Sequence, residues 1–254
     1  GAYGQVSSIQ NKIDIKECLN CSTKTCNKEC LVIKDRIKPH GILIFDPFCF
    51  ARQVFEIPTK LVEHLKTEMK KKKVTLILDE ITAGLGRTGK WFGYQHYDLK
   101  PDIVVLGKTL GNGYPVSAVL IDKKIVKLVE NKSFTYAQSH QNDPLGCTIA
   151  GAVIDTLERE RLIEASEKNG QKLLDMLRAE LYELKEVVDI RGKGLMLAVE
   201  LSKNICVTLV YQRLIEKGLI IGISTHYNVL NIFPAYTLPK EKFATIIEKI
   251  KEAI

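Results

Sequence analysis

No apolar run in the 254-residue chain approaches the roughly 20 residues that a membrane-spanning helix needs, so no such segment is expected. Aromatic residues make up 7% of the chain, and none interleaves with its one dense basic run, Lys70 to Lys73, so nucleic-acid binding has no support. That run follows the periodic set Leu61, Leu65 and Met69, and reads as the solvated end of a helix, where cations oppose the negative end of the dipole. A phosphate-binding P-loop is absent as well, because GKTLGNG would need a glycine at position 102, where Asp102 stands. Internal repeats are lacking, and so are low-complexity tracts beyond the lysines. The opening GAYGQVSSIQ has no methionine, basic region or apolar stretch of a secretory signal, and is expected to lie inside a longer protein. What is there, 45% hydrophobic and 26% charged residues with a net charge of +7 from scattered lysines, predicts a soluble globular protein of the cytoplasm.

Seven cysteines are unevenly spread. Cys18, Cys21, Cys26 and Cys30 read C-x2-C-x4-C-x3-C, a spacing compatible with zinc but without the paired knuckles of a strong signature. A reduced, cysteine-rich surface loop in a cytosolic setting is the preferred reading, with no metal assigned.

Residues 1–40 carry no clear period. Gly41 to Phe45 is a compact apolar run that stops at Asp46-Pro47, as a buried strand would. Pro58 then opens a helix marked by Leu61, Val62, Leu65 and Met69, and Val74 begins a second strand. Strand, helix, strand in that order predicts a right-handed crossover in a parallel α/β sheet. Two short runs, VTLIL and DIVVL, end in polar groups that a core strand has no use for: Asp79-Glu80 and Gly107-Lys108. Neighbouring strands would present this carboxylate and this amine at one rim, where ligands of α/β sheets bind. The glycines of ITAGLGRTG and TLGNGYP are expected to allow tight turns and close approach of backbone to a ligand. Val116 to Ile121 reads as another strand, Asp143-Pro144 starts a helix to about Glu158, and a second helix covers about Leu162 to Leu184. RGKGLMLAVEL is a glycine turn into a strand. Val207 to Lys217 looks helical, Leu219 to Ile223 and Val229 to Phe233 look like strands, and Lys240 to Ile254 is a closing amphipathic helix. The expected organisation is a large domain, 1–158, and a smaller α+β domain, 159–254.

A lysine and an aspartate at one rim meet two needs of pyridoxal phosphate chemistry, an amine to hold the aldehyde and a carboxylate to keep the pyridine nitrogen protonated. DEITAGLGRTG, followed by WFGYQHYDLKPDIVVLGKTLGNGYPVSAVL, resembles the signature of the class III pyridoxal-phosphate aminotransferases, the family that includes ornithine and 4-aminobutyrate aminotransferases. SHQNDPLGC and RGKGLMLAVEL extend the likeness, which covers nearly everything from Gly41 onward. The resemblance implies fold type I, a mostly parallel large-domain sheet with a smaller α+β C-terminal domain, a homodimer with shared active sites, and transfer of an amino group from an amine or amino acid to a keto acid. It implies that Lys108 is the imine-forming lysine and shuttles the proton, and that Asp79 partners the pyridine nitrogen. Ile81 matches the apolar residue against the ring, Thr82 the position near its phenolic oxygen, and Ser139 a hydroxyl for the phosphate at the partner's site; Tyr3 falls at the ring-stacking aromatic. A racemase or epimerase of the same fold shares the lysine and aspartate, and an idle, zinc-organised subunit is the alternative from another class.

Two departures stand out. The family's Glu-Pro-x-Gln-Gly-Glu-Gly-Gly loop is here Asp46-Pro47-Phe48-Cys49-Phe50-Ala51-Arg52-Gln53, with Ala51 in place of its second glutamate. The arginine expected to hold a substrate carboxylate is Asn231, in NVLNIFP. Losing both members of a charge pair leaves no orphan charge, so the usual carboxylate clamp is expected to be absent.

Overall fold

The computed structural model describes residues 13, 18, 33, 36–48, 53–130 and 137–254. Two four-stranded sheets organise them. The first contains β1 (Ile42–Phe45), β2 (Thr75–Asp79), β3 (Ile103–Leu106) and β4 (Ala118–Ile121) in sequence order. β1, β2 and β3 run parallel, and β4 closes the edge antiparallel to β3. β1 and β2 are joined through helix α1 (Thr59–Lys72), as the strand, helix, strand order predicted.

Helix α1 shows how sequence sets its ends. Pro58 precedes it with fixed φ, and the helix stops where Lys73 turns into the left-handed region at φ 52° and returns its N–H to Met69 and Lys70 carbonyls. Its buried face, Leu61, Val62, Leu65 and Met69, packs with Leu76, Leu78 and Leu99. The lysines Lys70 to Lys72 occupy its last turn, and Lys72 pairs with Glu68. Cys18 is buried in this same cluster, while Cys21, Cys26 and Cys30 lie outside the described residues.

After β4 come α2 (Lys123–Glu130), α3 (Pro144–Arg159) and the long α4 (Leu162–Leu181). Asp143 caps α3 by accepting from the Leu145 N–H. Helices α3 and α4 are separated at Glu160-Arg161, where Arg161 turns left-handed at φ 52°. The second sheet is fully antiparallel, in the order β5-β6-β8-β7: β5 (Val187–Lys193), β6 (Met196–Leu201), β7 (Gly222–Ser224) and β8 (Val229–Ile232). One of its faces is covered by the C-terminal half of α4, α5 (Val207–Glu216) and α6 (Lys242–Ala253), through Leu173, Leu177, Leu181, Leu214, Phe243 and Ile250, none of them solvent-exposed. The opposite face, with Met196, Ala198 and Val229, packs on Phe48, Val54 and Ala83 of the first unit.

Three elements depart from the sequence expectation. RGKGLMLAVEL does turn at a glycine into a strand, β6, but the residues before the turn also form a strand, β5, so the two make a hairpin that bends at Gly194-Leu195. The strand expected at Leu219 to Ile223 starts at Gly222, since Leu219 and Ile221 are used as packing side chains against the helical layer. Helix α2, which the sequence reading did not mark, carries no buried residue.

Candidate active site at the rim of the parallel sheet

β2 and β3 are adjacent and parallel, with Asp79 in register with Val105. Asp79 therefore ends one strand where Gly107-Lys108 follows the next, both at the carboxyl rim. Asp79 Oδ1 accepts from the Ile81 N–H at 3.0 Å, which fixes the first step of the chain out of the sheet. Thr82 then meets Lys108, whose Nζ donates to the Thr82 Oγ1 at 2.7 Å. Lys108 opens a short 3-10 turn, Lys108–Gly111, with its own backbone in the left-handed region at φ 41°. For a residue with a Cβ that conformation costs on the order of 1–2 kcal/mol, and such strain collects at functional sites. Gly107 lies beside Ile81: a Cβ built on it would come to 3.4 Å from Ile81 Cγ2. Four of the residues singled out in the sequence, Asp79, Ile81, Thr82 and Lys108, are thus gathered at one rim. Lys108 borders an open depression of about 430 Å³ lined by Thr109, Asn112, Gly113, Tyr114, Pro115 and Val116.

Ser139 is not brought to this group within the chain. It stands exposed in the turn before α3, a turn held to the Lys108 side by the Tyr114 hydroxyl, which donates to Asp143 Oδ2 at 3.2 Å. Tyr3 and Ala51 lie outside the described residues. Asn231 is buried, 7% exposed, and its Oδ1 has no hydrogen-bond partner. Among the described residues no cluster of three His, Cys, Asp or Glu side chains could hold a metal ion.

The glycines of ITAGLGRTG serve a purpose that the sequence reading missed. Built Cβ atoms on Gly86 and Gly89 would come to 2.8 Å from Ile163 Cγ1 and Glu167 Cβ, so these glycines admit helix α4 and not a ligand. Arg87 locks the same loop to the second sheet: its NH1 donates to the Pro234 carbonyl at 2.6 Å, its own carbonyl accepts from Leu195 N–H at 2.9 Å, and its guanidinium lies 4.4 Å above the Tyr236 ring. The Tyr236 hydroxyl donates to Leu85 O at 2.9 Å.

Glu80 was equally unassigned by its sequence. It is 1% exposed, and its two carboxylate oxygens accept from Gly93 N–H and Tyr94 N–H, each at 2.8 Å. Burial pushes its carboxyl up to about 7, with nearby Asp46 and Asp79 adding to the rise and the two N–H groups opposing it. The only advance signal was position, an acidic residue with no exposed strand end to occupy. His96, on the following turn, is held down to about 4 by burial and by Lys193 and Lys90.

These two groups give opposite pH slopes. His96 has a folded pKa below its unfolded value, so its contribution is full above about 6.5 and is lost as pH falls toward 4. Glu80 has a raised pKa, so its contribution is full below about 4.5 and is lost as pH rises through 7. A His96→Gln variant should therefore gain about 1–2 kcal/mol at pH 5 relative to pH 7.5 when each is referred to the wild type, allowing for solvent screening. Urea midpoints at both pH values measure it, and equal shifts at the two would dismiss His96 as the source.

The fold and this rim define an α/β chain of the kind built to hold a cofactor beyond its parallel strands. The family described as Aminotransferase class-III matches residues 24–254, and the chain belongs to that family. It is 37% identical over 185 residues to an ornithine aminotransferase of Halalkalibacterium halodurans, covering 71% of this chain and 44% of that protein. The fold is shared with an aminotransferase of Bacillus anthracis, with a TM-score of 0.78 and 30% identity, over 84% of this chain and 52% of the other. The ornithine aminotransferase of Toxoplasma gondii, described with partial occupancy of PLP at its active site, gives a TM-score of 0.75 and 29% identity over 83% of this chain and 50% of that one. The chain spans about half the length of the relatives it matches.

Proposed function

We propose that the protein to which this chain belongs is a pyridoxal-phosphate-dependent transaminase that moves an amino group from an amine or amino acid to a keto acid. The observation that carries it is the Lys108 amine on the Thr82 hydroxyl, 2.7 Å away, at the rim that Asp79 shares. These residues suit the cofactor: an amine at the mouth of an open depression, a carboxylate one strand away, and an apolar side chain, Ile81, between them in the chain. When bound, the cofactor supplies an electron sink for the substrate carbon. Lys108 would hold the cofactor's aldehyde and would serve as the group that takes and returns the proton at the substrate carbon. Asp79 would hold a proton at the cofactor's pyridine nitrogen, Ile81 would supply an apolar contact for its ring, and Thr82, which accepts from Lys108, would serve its phenolic oxygen. Ser139, exposed and apart from Lys108, suits the phosphate of a second copy's site in a homodimer, and Tyr3 is the proposed ring-stacking aromatic.

We take 1–158 as the cofactor-binding unit and 159–254 as the small unit; the break between α3 and α4 at Glu160-Arg161 supports that division. A cytoplasmic setting fits the exposed thiols of Cys147 and Cys206 and the absence, among the described residues, of a helix long and apolar enough to cross a membrane. Neither the racemase nor the idle subunit gains support from the relatives, which are aminotransferases.

Adding pyridoxal phosphate to the full-length protein should produce a near-ultraviolet to visible absorption band that an amino donor bleaches and a keto acid restores. A racemase would interconvert enantiomers without that exchange, and no band at all would end the proposal.

Asn231 points to the donor class. A neutral amide with a buried, unpartnered oxygen cannot clamp a carboxylate as an arginine does, so amines, or substrates whose carboxylate is absent or held elsewhere, should be the better donors. Steady-state comparison of a simple amine with glutamate and ornithine tests this. If glutamate or ornithine leads, the assignment of Asn231 is wrong, and Ala51→Glu with Asn231→Arg is the matching gain-of-clamp variant.

A further inference from the structure

We infer that Glu80 is a positioning residue for this rim: its buried carboxylate closes the loop that carries Ile81 and Thr82, and thereby sets the hydroxyl that receives the Lys108 amine. The catalytic meaning of this rests on the transaminase function proposed above. The geometry is independent of it.

Side chains alternate along a strand and its one-residue extension, so Glu80 points to the side opposite Asp79. The Glu80 N–H donates to Val105 O at 2.9 Å, which prolongs the β2–β3 ladder by one residue. Beyond it the chain leaves the sheet. Gly84 N–H returns to Glu80 O at 3.0 Å, and a Cβ on Gly84 would stand 2.7 Å from that same oxygen, so the turn enclosing Thr82 closes only because position 84 is glycine. The far end of the loop returns at the 3-10 turn Gly93–Tyr97, whose first amides have no acceptor within the turn. The Glu80 carboxylate takes Gly93 N–H on one oxygen and Tyr94 N–H on the other, each at 2.8 Å. One side chain therefore fastens the return of the loop, while the backbone of the same residue fastens its departure. Thr82 lies between these fastenings, with its hydroxyl 2.7 Å from Lys108 Nζ.

Charge and burial make the arrangement all-or-nothing. A carboxylate out of water needs donors on both oxygens, and two buried amides need acceptors. Glu80→Gln replaces one acceptor oxygen by an NH2 group, which faces an N–H instead of receiving it. Glu80→Asp keeps the acceptors but withdraws them by one methylene. Either change should loosen the loop at Thr82 without touching Lys108.

The test reads Lys108 directly in the full-length, cofactor-free protein. Its rate of acetylation by acetic anhydride at fixed pH is followed by peptide mass spectrometry, with exposed Lys203 as internal reference. Glu80→Gln and Thr82→Ala should each raise the Lys108 rate several-fold over the wild type, and the double variant should be no faster than Thr82→Ala alone. A cooperative thermal transition in each variant establishes that it is folded, and Glu80→Asp provides the same reading should Glu80→Gln fail to fold. A wild-type Lys108 rate in a folded Glu80 variant while Thr82→Ala is accelerated overturns the inference, as do effects that multiply in the double variant. The absorption band of the wild type with pyridoxal phosphate is scored separately: coupled labelling without a band keeps the positioning role and removes the transaminase, and a band without coupling does the reverse.

Discussion

Lys108→Ala should abolish the absorption band that pyridoxal phosphate forms with the wild-type protein and lower transamination by about a hundred- to ten-thousand-fold, the range set by removing a positioned acid–base group. The loss has two parts. On the proposed function, losing the amine removes both the attachment point for the aldehyde and the group that would take the proton from the substrate carbon. The fold should be untouched, because Lys108 is exposed and its strained backbone, at φ 41°, tolerates alanine no worse than lysine. Small exogenous amines should restore part of the rate, since the missing chemistry is that of an amine. Asp79→Asn makes the useful contrast. Its remaining oxygen can still accept from Ile81 N–H, so the band should form, but a neutral amide does not hold a proton on the pyridine nitrogen and turnover should fall while attachment persists. A Lys108→Ala protein that keeps both band and turnover would remove the lysine from the chemistry altogether.

The largest structural effect is expected at Gly170, in the middle of α4. A Cβ there would stand 2.0 Å from the carbonyl oxygen of Gly194 and 2.1 Å from its carbonyl carbon, and both are backbone atoms of the β5–β6 turn that cannot rotate away. Gly194 has no room to retreat, since its own Cβ position is 2.5 Å from the carbonyl carbon of Thr88. Gly170→Ala should therefore cost at least the upper end of the about 1–3 kcal/mol typical of overpacking. At about 2–4 °C per kcal/mol for a chain of this size, the melting temperature should drop by on the order of 10 °C. Gly151→Ala on α3 is the control: nothing lies within 4 Å of its Cβ, and a helical glycine replaced by alanine gains about 0.5–1 kcal/mol. Equal melting temperatures for the two variants would show that α4 can shift away from the turn.

Sequence made the rim legible because strand ends need a reason to be polar. Asp79 and Lys108 broke two apolar runs, and the parallel pairing of those runs brings the two residues to the same side. Helix α1 could be read end to end, since proline, an apolar stripe and a lysine run each have a single local cause. What escaped was whatever depends on a distant partner. Gly86 and Gly89 look the same in sequence whether a phosphate or a helix approaches them, and here the approaching group is α4, more than seventy residues along the chain. Glu80 sits beside a more conspicuous aspartate, and its meaning lies in two amides thirteen and fourteen residues away. Ser139 stands exposed and apart from Lys108, and nothing in its local sequence says what its hydroxyl faces; its place at a second copy's site is part of the proposal.

Helix α4 lies beyond the proposed division yet packs on both sides of it: Ile163 and Glu167 in its first turns rest on Gly86 and Gly89, while Leu173, Leu177 and Leu181 lie under the second sheet. The chain is exposed just before this helix, at Glu160 and Arg161, and the Arg161 backbone leaves the right-handed region there. A protease that cut there would sever the covalent link between the two units and leave their shared surface whole. The fragments would stay together as a nicked complex, and a piece beginning at residue 159 and made alone would present its glycine-facing helix surface to water. The boundary that is easiest to draw along the chain is therefore not a boundary in space.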